Sequence, residues 1–371
     1  MRKNKTNFWH KIILFFNYLA IISLLLSYAA TLTDPAEFWY FTLFGLAYPF
    51  ILLANLLFLI FWLYCKKWTA LLSLIAILIG FGFIQRTFAF RFKSESDFRV
   101  DSNTIKVMTW NVHSFKKFGD ELDTVTKTNA LKIINTEQPD IVGFQEFFTR
   151  KKGRYDFKDS ILKDLDTKFY YYSKTVDNDY ESNGVAFFSK YPIIKSGDIA
   201  FEVPKAGNRG IWVDVKKENT VFRVFVVHLA SISFAPEDYH FLNEVKSDIN
   251  SGKDVQSSKR IVRKLRDAFI RRSNQVKVLK AEMDKCTTPY LVMGDFNDTP
   301  VSYTVSQISK NLKNGFKEKG SGLAITYNGE FPNFQIDYIL SSKQFDFKAY
   351  KIIKKDYSDH YPVRCNVTLS K

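Results

Sequence analysis

Four apolar runs of the sequence end in polar side chains that are able to take part in catalysis. TIKVMTW is followed by Asn111, DIVGF by Gln145 and Glu146, VFRVFVV by His228, and YLVMG by Asp295. Parallel sheets gather ligand sites beyond the carboxyl ends of their strands, so one shared site would explain all four endings. We therefore expect these side chains to lie close together.

The candidate residues are carboxylates, carboxamides and imidazoles, with no cysteine and no serine in a nucleophile-elbow context. Oxygen-rich sites without sulfur suit hard cations, which favours Mg²⁺ or Mn²⁺ over zinc. Such an ion polarises a phosphoryl oxygen and neutralises the charge that builds up in the transition state. The full candidate set is Asn111, Glu146, His228, Asp295, Asn297, Asp337, Asp359 and His360.

The stretch GDFND, residues 294–298, supplies the candidates for handling the attacking water. Asp295 is suited to orient or deprotonate that water, and Asn297 to donate to a phosphate oxygen. His360 would present an imidazolium to the phosphate if a carboxylate held its other nitrogen, and Asp337 is the candidate for that carboxylate. The set therefore has the parts needed for phosphoester hydrolysis.

Two polar residues near these motifs are assigned structural roles instead. His113, two residues after Asn111, is interpreted as a loop or packing histidine. Asp298 precedes Thr299 and Pro300, and is interpreted as a helix N-cap or a turn former.

Beyond residue 104, short β-rich runs alternate with amphipathic helical stretches near 121–137, 158–165 and 257–284, which predicts an α/β domain. The ordered motifs MTWNVHSF, IVGFQEFF, SNGVAFFSKYPI, VVHLAS, LVMGDFNDTP, QIDYIL and YSDHYPV resemble those of the endonuclease/exonuclease/phosphatase superfamily. The resemblance runs from about residue 104 to about 369. It implies a four-layer α/β/β/α sandwich of two packed mixed sheets, with the site at one end.

The resemblance also implies a role for each motif residue. Glu146 would bind the metal, with Asn111 and Asp359 in or near its coordination shell; His228 and Asn297 would contact the scissile phosphate; Asp295 would orient or deprotonate the water; and the Asp337–His360 pair would stabilise the pentacovalent phosphorus. Arg209, in GNRGIW, falls where many members carry a basic residue near the site, and is predicted to bind substrate.

The first 90 residues form a separate hydrophobic region. Three apolar stretches, 12–31, 38–64 and 68–84, are each near the roughly 20 residues that a helix needs to cross a bilayer. We predict three transmembrane helices in residues 1–90, a linker at 91–103 and the catalytic domain at 104–371. A cleaved signal peptide is the alternative for the first stretch, but two more apolar stretches follow it.

Lysine and arginine flank these stretches unevenly, and such residues stay on the cytoplasmic side. The distribution predicts a cytoplasmic N-terminus and an extracytoplasmic catalytic domain in a multi-pass integral membrane protein. The residues that favour this orientation are Arg2, Lys3, Lys5, Lys11, Lys66 and Lys67, whereas Arg86, Arg91 and Lys93 oppose it weakly.

The 371-residue chain carries a net charge of +15, which favours anionic partners. Many of the cations fall within SSKRIVRKLRDAFIRRSNQVKVLK, where apolar residues recur at helical spacing and predict a helix packed on a sheet. Its polar face is either simply solvated or meets a polyanion or the membrane through Arg260, Arg263, Lys264, Arg271 and Arg272. The three cysteines, Cys65, Cys286 and Cys365, predict neither a disulfide framework nor a zinc site.

Together these features predict a membrane-anchored, Mg²⁺-dependent phosphoric ester hydrolase. A phosphodiesterase acting on nucleic acid or a phospholipid headgroup is the preferred interpretation; a phosphomonoesterase and a catalytically silent module that binds anionic partners are the alternatives. The expected partners are a phosphate-ester substrate and the lipid bilayer, and nothing in the sequence points to an obligate protein partner.

Overall fold

Two six-stranded sheets form the centre of the computed structural model, which describes residues 8–91, 103–116, 124–201, 208–247, 255–329 and 333–369. The first sheet contains β6 (Ile193–Ile199), β7 (Arg209–Lys217), β8 (Thr220–His228), β9 (Tyr290–Asp295), β10 (Lys313–Asn314) and β12 (Asp337–Ser341). The second contains β2 (Thr104–Asn111), β3 (Ile141–Arg150), β4 (Phe169–Asp177), β5 (Glu181–Ser189), β13 (Phe345–Ile352) and β14 (Val363–Leu369).

Each sheet is mixed and has one parallel pair at its centre. The strand orders are β10-β12-β9-β8-β7-β6 and β13-β14-β2-β3-β5-β4. β8 pairs in parallel with β9, β2 pairs in parallel with β3, and the other neighbours are antiparallel. The carboxyl ends of the two strands in each parallel pair therefore lie side by side.

The sheets pack face to face because their strands are apolar on alternating residues of both faces. In β8, Val224 and Val226 point into the cluster shared with the second sheet, whereas Phe225 and Val227 point outward. In β2, Val107 likewise faces the first sheet. A strand covered on both faces has to be apolar on both, which explains the nearly unbroken hydrophobic runs of the sequence.

Helices cover the outer face of each sheet. α7 (Thr124–Glu137) and α8 (Phe157–Asp164) pack on the second sheet through Ile133, Ile134 and Ile161. α10 (Val255–Asp284) and α11 (Tyr303–Ile308) pack on the first through Val276, Leu279 and other apolar residues. α9 (Pro236–Ser247) and α12 (Gly315–Lys319) complete the domain. The expected α/β fold of two packed mixed sheets flanked by helices is confirmed.

Six helices lie in the described part of the N-terminal region, from residue 8 onward. They are α1 (Phe8–Ala29), α2 (Pro35–Phe38), α3 (Phe41–Leu46), α4 (Tyr48–Tyr64), α5 (Ala70–Ile79) and α6 (Phe81–Thr87). Only α1, among the described residues, is by itself long and apolar enough to cross a membrane; its 22 residues measure about 33 Å. The prediction of three transmembrane helices is therefore wrong in this form.

Local breaks explain the difference. The second predicted stretch divides at Ala47, where Pro49 has no N–H to continue the helical hydrogen bonds of α3. The third divides at Gly80, where α5 and α6 meet at 66°. A Cβ at Gly80 would lie 2.0 Å from the Tyr28 ring, so a larger residue there would require the ring to move. Most of the predicted linker, 92–102, lies outside the described residues.

The helices form a bundle with polar contacts inside and apolar side chains outside. Asn17 donates to Ser73 Oγ at 2.7 Å and accepts from Trp62 Nε1 at 2.9 Å. Asn55 donates to the backbone oxygen of Ala20 at 2.9 Å. Many large apolar side chains of the bundle are exposed. The bundle thus combines buried polar contacts with exposed large apolar side chains.

The bundle is fixed to the two-sheet domain at one end. Asp34, which caps α2, accepts hydrogen bonds from Ser273 and from Lys277, the latter at 2.7 Å. Burial works to raise the pKa of Asp34, but these hydrogen bonds outweigh it and lower the pKa. β1 (Phe88–Ala89) pairs with β11 (Gly322–Leu323), and Val301 packs within the core of the bundle. The two regions are thus joined by ion pairing, strand pairing and apolar packing.

Candidate functional site

Polar strand endings from both sheets meet at one edge of the sandwich. Asn111 at the end of β2 is the register partner of Gln145 in β3, and His228 at the end of β8 is that of Asp295 in β9. Asn111 Nδ2 donates to Asp295 Oδ2 at 3.0 Å and connects the two sheets. The residues around this contact line a cavity of about 230 Å³. All predicted site residues except Arg209 and Asp337 are among those that line it.

The backbone at the end of β9 is held in a shape that only glycine allows. Gly294 has a φ of 138°, and a Cβ there would lie 2.0 Å from the Val227 carbonyl oxygen. The next residue, Asp295, is buried and accepts hydrogen bonds from the Asn297 backbone N–H at 2.8 Å and from Asn297 Nδ2 at 3.0 Å. Glycine thus lets β8 and β9 approach closely at the point where Asp295 enters the cavity.

Burial raises the pKa of the Asp295 carboxyl group to about 6, although His360 and His228 act in the opposite direction. A carboxylate whose pKa lies near neutrality is well suited to accept a proton from water. Asn297 Nδ2 donates both to Asp295 and to the Leu229 carbonyl oxygen, at 3.0 Å each, so its amide hydrogens hold the aspartate in this structure. Its predicted contact with the phosphate stays a prediction.

His360 and Asp337 form the predicted pair beside Asp295. His360 Nδ1 lies 2.9 Å from Asp337 Oδ2, and both side chains are buried. His360 Nε2 lies 3.8 Å from Asp295 Oδ2. Burial acts to lower the pKa of His360, but the surrounding carboxylates, Asp337 first, outweigh it and raise the pKa well above its usual range. The pair therefore presents an imidazolium next to the buried carboxylate.

Glu146 and Asp359 form a more open acidic group at the cavity wall. Glu146 has a φ of 50° where the β3–β5 register shifts between Phe144 and Phe147. Such a bulge redirects a side chain out of the regular strand alternation. Both carboxylates face His113 Nδ1, Glu146 Oε2 at 3.7 Å and Asp359 Oδ2 at 3.6 Å.

The interpretation of His113 as a loop or packing histidine is incomplete, because its ring lines the cavity between these two carboxylates. His113, Ser114 and Phe115 all have positive φ, a conformation that L-residues rarely adopt and that is frequent at functional sites. In the sequence, the spacing of two residues already indicated that His113 would point in the same direction as Asn111 along an extended strand.

Two sets of side chains have the chemistry to hold a divalent cation. Asp295, Asp337 and His360 place ligand atoms within 4.8 Å of one another. A protonated imidazole cannot bind a metal, however, and the raised pKa of His360 argues against this set. Glu146 and Asp359 are oxygen ligands that remain open to the cavity, so they fit a hard cation better.

His228 is buried, and neither of its ring nitrogens has a hydrogen-bond partner among the described residues. Its Nε2 lies 3.7 Å from Glu146 Oε1 and 3.7 Å from Asp295 Oδ2. Leaving a buried polar group unsatisfied is costly, so its nitrogens are expected to gain a partner when the cavity holds a ligand.

Arg209 is not among the residues that line the cavity, and its predicted contact with substrate stays a prediction. It is the register partner of His228, but its guanidinium donates to Ser173 Oγ at 3.1 Å and Thr175 Oγ1 at 3.2 Å. Asp198 lies 3.6 Å away. The side chain therefore connects strands of the two sheets.

Three of the five predicted cations of α10 pair with carboxylates of the protein. Arg272 is buried and bonds to Asp298 Oδ2 at 3.2 Å, so Asp298 is an ion-pair partner rather than a helix cap. Arg260 and Lys264 both bind the buried Asp238. Burial acts to raise the pKa of Asp238, but the Lys264 hydrogen bond and its other partners lower it to about 2.

Comparison with known proteins agrees with this architecture. The chain is similar to an endonuclease/exonuclease/phosphatase from Beutenbergia cavernae (18% identity, TM-score 0.50, 72% of each chain covered). It is also similar to an endonuclease/exonuclease/phosphatase family protein from Bacteroides thetaiotaomicron (17% identity, TM-score 0.51). That match covers 73% of this chain and 100% of the other. A third similar structure is the human Nocturnin catalytic domain with bound sulfate (18% identity, TM-score 0.50). The match covers 74% of this chain and 97% of the Nocturnin chain.

No curated protein matches the sequence. Residues 10–87, the helical bundle, match the model of a domain of unknown function. Residues 108–360, which contain every strand ending of the cavity, match the model of the Endonuclease/Exonuclease/phosphatase family. The chain belongs to the Endonuclease/Exonuclease/phosphatase family.

Proposed function

We propose that the protein is a Mg²⁺-dependent phosphoric ester hydrolase that acts on phosphodiesters. The observation that carries this proposal is the position of Asp295, a buried carboxylate with a pKa of about 6, beside the His360–Asp337 pair. A proton acceptor and a cationic donor on neighbouring sides of one cavity are what water attack on a phosphate needs.

Each side chain then has one task. Asn111 and Asn297 hold Asp295, which orients the water and accepts its proton. The His360 imidazolium and the unpartnered His228 donate to the phosphate oxygens as negative charge develops. Mg²⁺ held by Glu146, with Asn111 and Asp359 beside it, would supply polarisation of a phosphoryl oxygen. A phosphomonoesterase or a silent binding module would need the same cavity, so activity measurements have to separate them.

The test uses the full chain in detergent micelles with bis-p-nitrophenyl phosphate, and p-nitrophenyl phosphate as the monoester. We expect hydrolysis of the diester that EDTA abolishes and Mg²⁺ restores. Glu146→Gln should raise the Mg²⁺ concentration for half-maximal activity by about tenfold or more, because a charged ligand is lost. The control is Glu181→Gln, at a surface position on β5.

Full activity in EDTA, or an unchanged Mg²⁺ requirement in Glu146→Gln, would contradict metal dependence through this residue. Faster hydrolysis of the monoester would favour the phosphomonoesterase. Absence of turnover on every ester with every divalent metal would favour the binding module.

We further propose that the helical bundle is embedded in a membrane, with α1 crossing it beside the shorter helix α4 and the bent pair α5–α6. The polar contacts inside the bundle and the exposed apolar side chains outside it support this proposal. Asn17 pairs with Trp62, and Tyr28 packs on Tyr48, so α1 and α4 run antiparallel. Lys11, Lys66 and Lys67 therefore lie at the end of the bundle far from the catalytic domain.

Because lysine-rich ends stay in the cytoplasm, this arrangement supports the proposal that the catalytic domain lies on the outer side. Arg86, which opposes this orientation in the sequence, donates to Ser306 of the domain at 3.3 Å. Alkaline phosphatase fused after Lys371 should be active, whereas a reporter that needs the cytoplasm should be inactive at the same point. The reverse pattern would refute the orientation.

A further inference from the structure

The cavity has a polar floor and an apolar wall. The floor contains the carboxylates and imidazoles described above. The wall is formed by Leu46, Ile232, Phe234, Tyr239 and Phe269. The floor is suited to hold the ester, and the wall is suited to contact an apolar part of the substrate.

The apolar wall is built jointly by the catalytic domain and the helical bundle. Leu46 and Leu43 of α3 pack in the same cluster as Ile232, Phe234 and Phe269. α3 also touches the loop that follows the GDFND motif, since a Cβ on its Gly45 would meet the Val301 carbonyl oxygen at 2.3 Å. The helices proposed to lie in the membrane thus reach the rim of the active site.

A line of exposed apolar residues runs along α4, which begins two residues after Leu46. Phe50, Leu53 and Leu57 lie at spacings of three and four residues on α4, as neighbours on one helical face do. Their exposed fractions are 62%, 54% and 59%. An extended hydrocarbon chain is able to lie along this line, which we call the α4 stripe, while the group attached to it sits in the cavity.

The charges near the cavity favour this ligand over a nucleic acid. A groove for a polyanion needs a track of free cations. On α10, however, Arg272 is paired with Asp298, and Arg260 and Lys264 are both paired with Asp238. The other two predicted cations, Arg263 and Arg271, are not among the residues that line the cavity. The wall that faces the cavity from this side is apolar instead.

We propose that the substrate is a membrane lipid, whose phosphate ester enters the polar floor while an acyl chain lies against Leu46 and the α4 stripe. The inference rests on the proposed hydrolase function and names its substrate class. In the reaction, the water oxygen forms a new bond to phosphorus and the ester P–O bond breaks. The water proton passes to Asp295, and the leaving oxygen takes a proton from solvent to give the free alcohol.

The first experiment compares matched compounds with and without acyl chains, using the full-length protein in one mixed-micelle preparation with Mg²⁺. The lipids are dioleoyl phosphatidylglycerol, dioleoyl phosphatidylethanolamine and dioleoyl phosphatidate. Each lipid is compared with its own deacylated form. We expect at least one lipid to be hydrolysed with a kcat/KM at least about 100-fold above that of its deacylated form, because the apolar contacts are lost with the chains.

The second experiment tests the wall. Leu46→Asn should lower the ratio of kcat/KM for that lipid to kcat/KM for bis-p-nitrophenyl phosphate by about tenfold, because one leucine contact is lost. Leu25→Asn, at an exposed position of α1 away from the stripe, should leave the ratio unchanged. If Leu46→Asn does not fold, the comparison of acylated and deacylated compounds still decides the question.

Equal hydrolysis of acylated and deacylated compounds would overturn the proposal, as would cleavage of single-stranded DNA in preference to every lipid. An unchanged ratio in folded Leu46→Asn would also overturn it. Failure of the hydrolase function itself is distinguishable, because bis-p-nitrophenyl phosphate would then not be hydrolysed either.

Discussion

Replacing Asp295 by asparagine is expected to reduce kcat by about 10³-fold with little change in KM, because the variant keeps the side-chain shape but cannot accept a proton. Asp295 is buried and held by Asn111 and Asn297, so no other carboxylate can move into its place. The measurement is steady-state hydrolysis of bis-p-nitrophenyl phosphate with saturating Mg²⁺. Asp267→Asn, on the outer part of α10, is the matched control.

The pH profile of the unmodified protein gives a second readout. Burial raises the pKa of Asp295 to about 6, so the carboxylate form is lost as the pH falls below that value. Activity should therefore fall about tenfold for each pH unit below about 6. In Asp295→Asn, the remaining activity should no longer show this decrease at acid pH, the acid limb of the profile. A variant that keeps both its rate and its acid limb would show that another group activates the water.

The strand endings were predictable from the sequence because they follow from simple chain geometry. The apolar runs that end in Asn111, His228 and Asp295 become strands covered on both faces. Parallel pairing of β8 with β9 brings His228 and Asp295 together, and parallel pairing of β2 with β3 does the same for Asn111 and Gln145. The long helix expected at 257–284 is α10, Val255–Asp284. Periodicity and strand polarity thus predict both the layers and the edge at which the site lies.

The position of Glu146 and the role of His113 were not predictable in the same way. Glu146 faces the cavity because a bulge follows Phe144, and a bulge depends on the register with β5, which periodicity does not give. His113 faces Glu146 and Asp359 because three successive residues adopt positive φ. Local propensity disfavours that conformation, and only the tertiary contacts impose it.

Charge and hydropathy were least informative about which residues are buried. Arg272 has the sequence context of a surface cation, yet it is buried against Asp298, because residues from distant parts of the chain supply its partners. The prediction of three transmembrane helices was wrong for a related reason. Hydropathy averages over a window, so it does not register the breaks at Ala47 and Gly80. The contribution of Leu46 to the cavity depends on the first of these breaks, which ends α3.

His360→Asn is expected to reduce kcat by about 10²- to 10³-fold, because it removes a cationic donor to the charge that develops on the phosphate. Asp337→Asn should cost nearly as much, since Asp337 is the main group that raises the pKa of His360 above its usual range. Residues that act as a unit are not additive, so the double variant should be no slower than His360→Asn alone. Multiplied losses in the double variant would show that the two side chains act separately.

The pH dependence of Asp337→Asn separates an electrostatic role from a purely structural one. With Asp337 present, the raised pKa of His360 keeps the imidazolium through neutral pH. Without it the pKa falls, so the imidazolium and the activity should be lost at a lower pH than in the unmodified protein. His240→Asn, on the exposed surface of α9, is the control and should leave the profile unchanged. If Asp337 only supported the fold, its loss would lower activity equally at every pH.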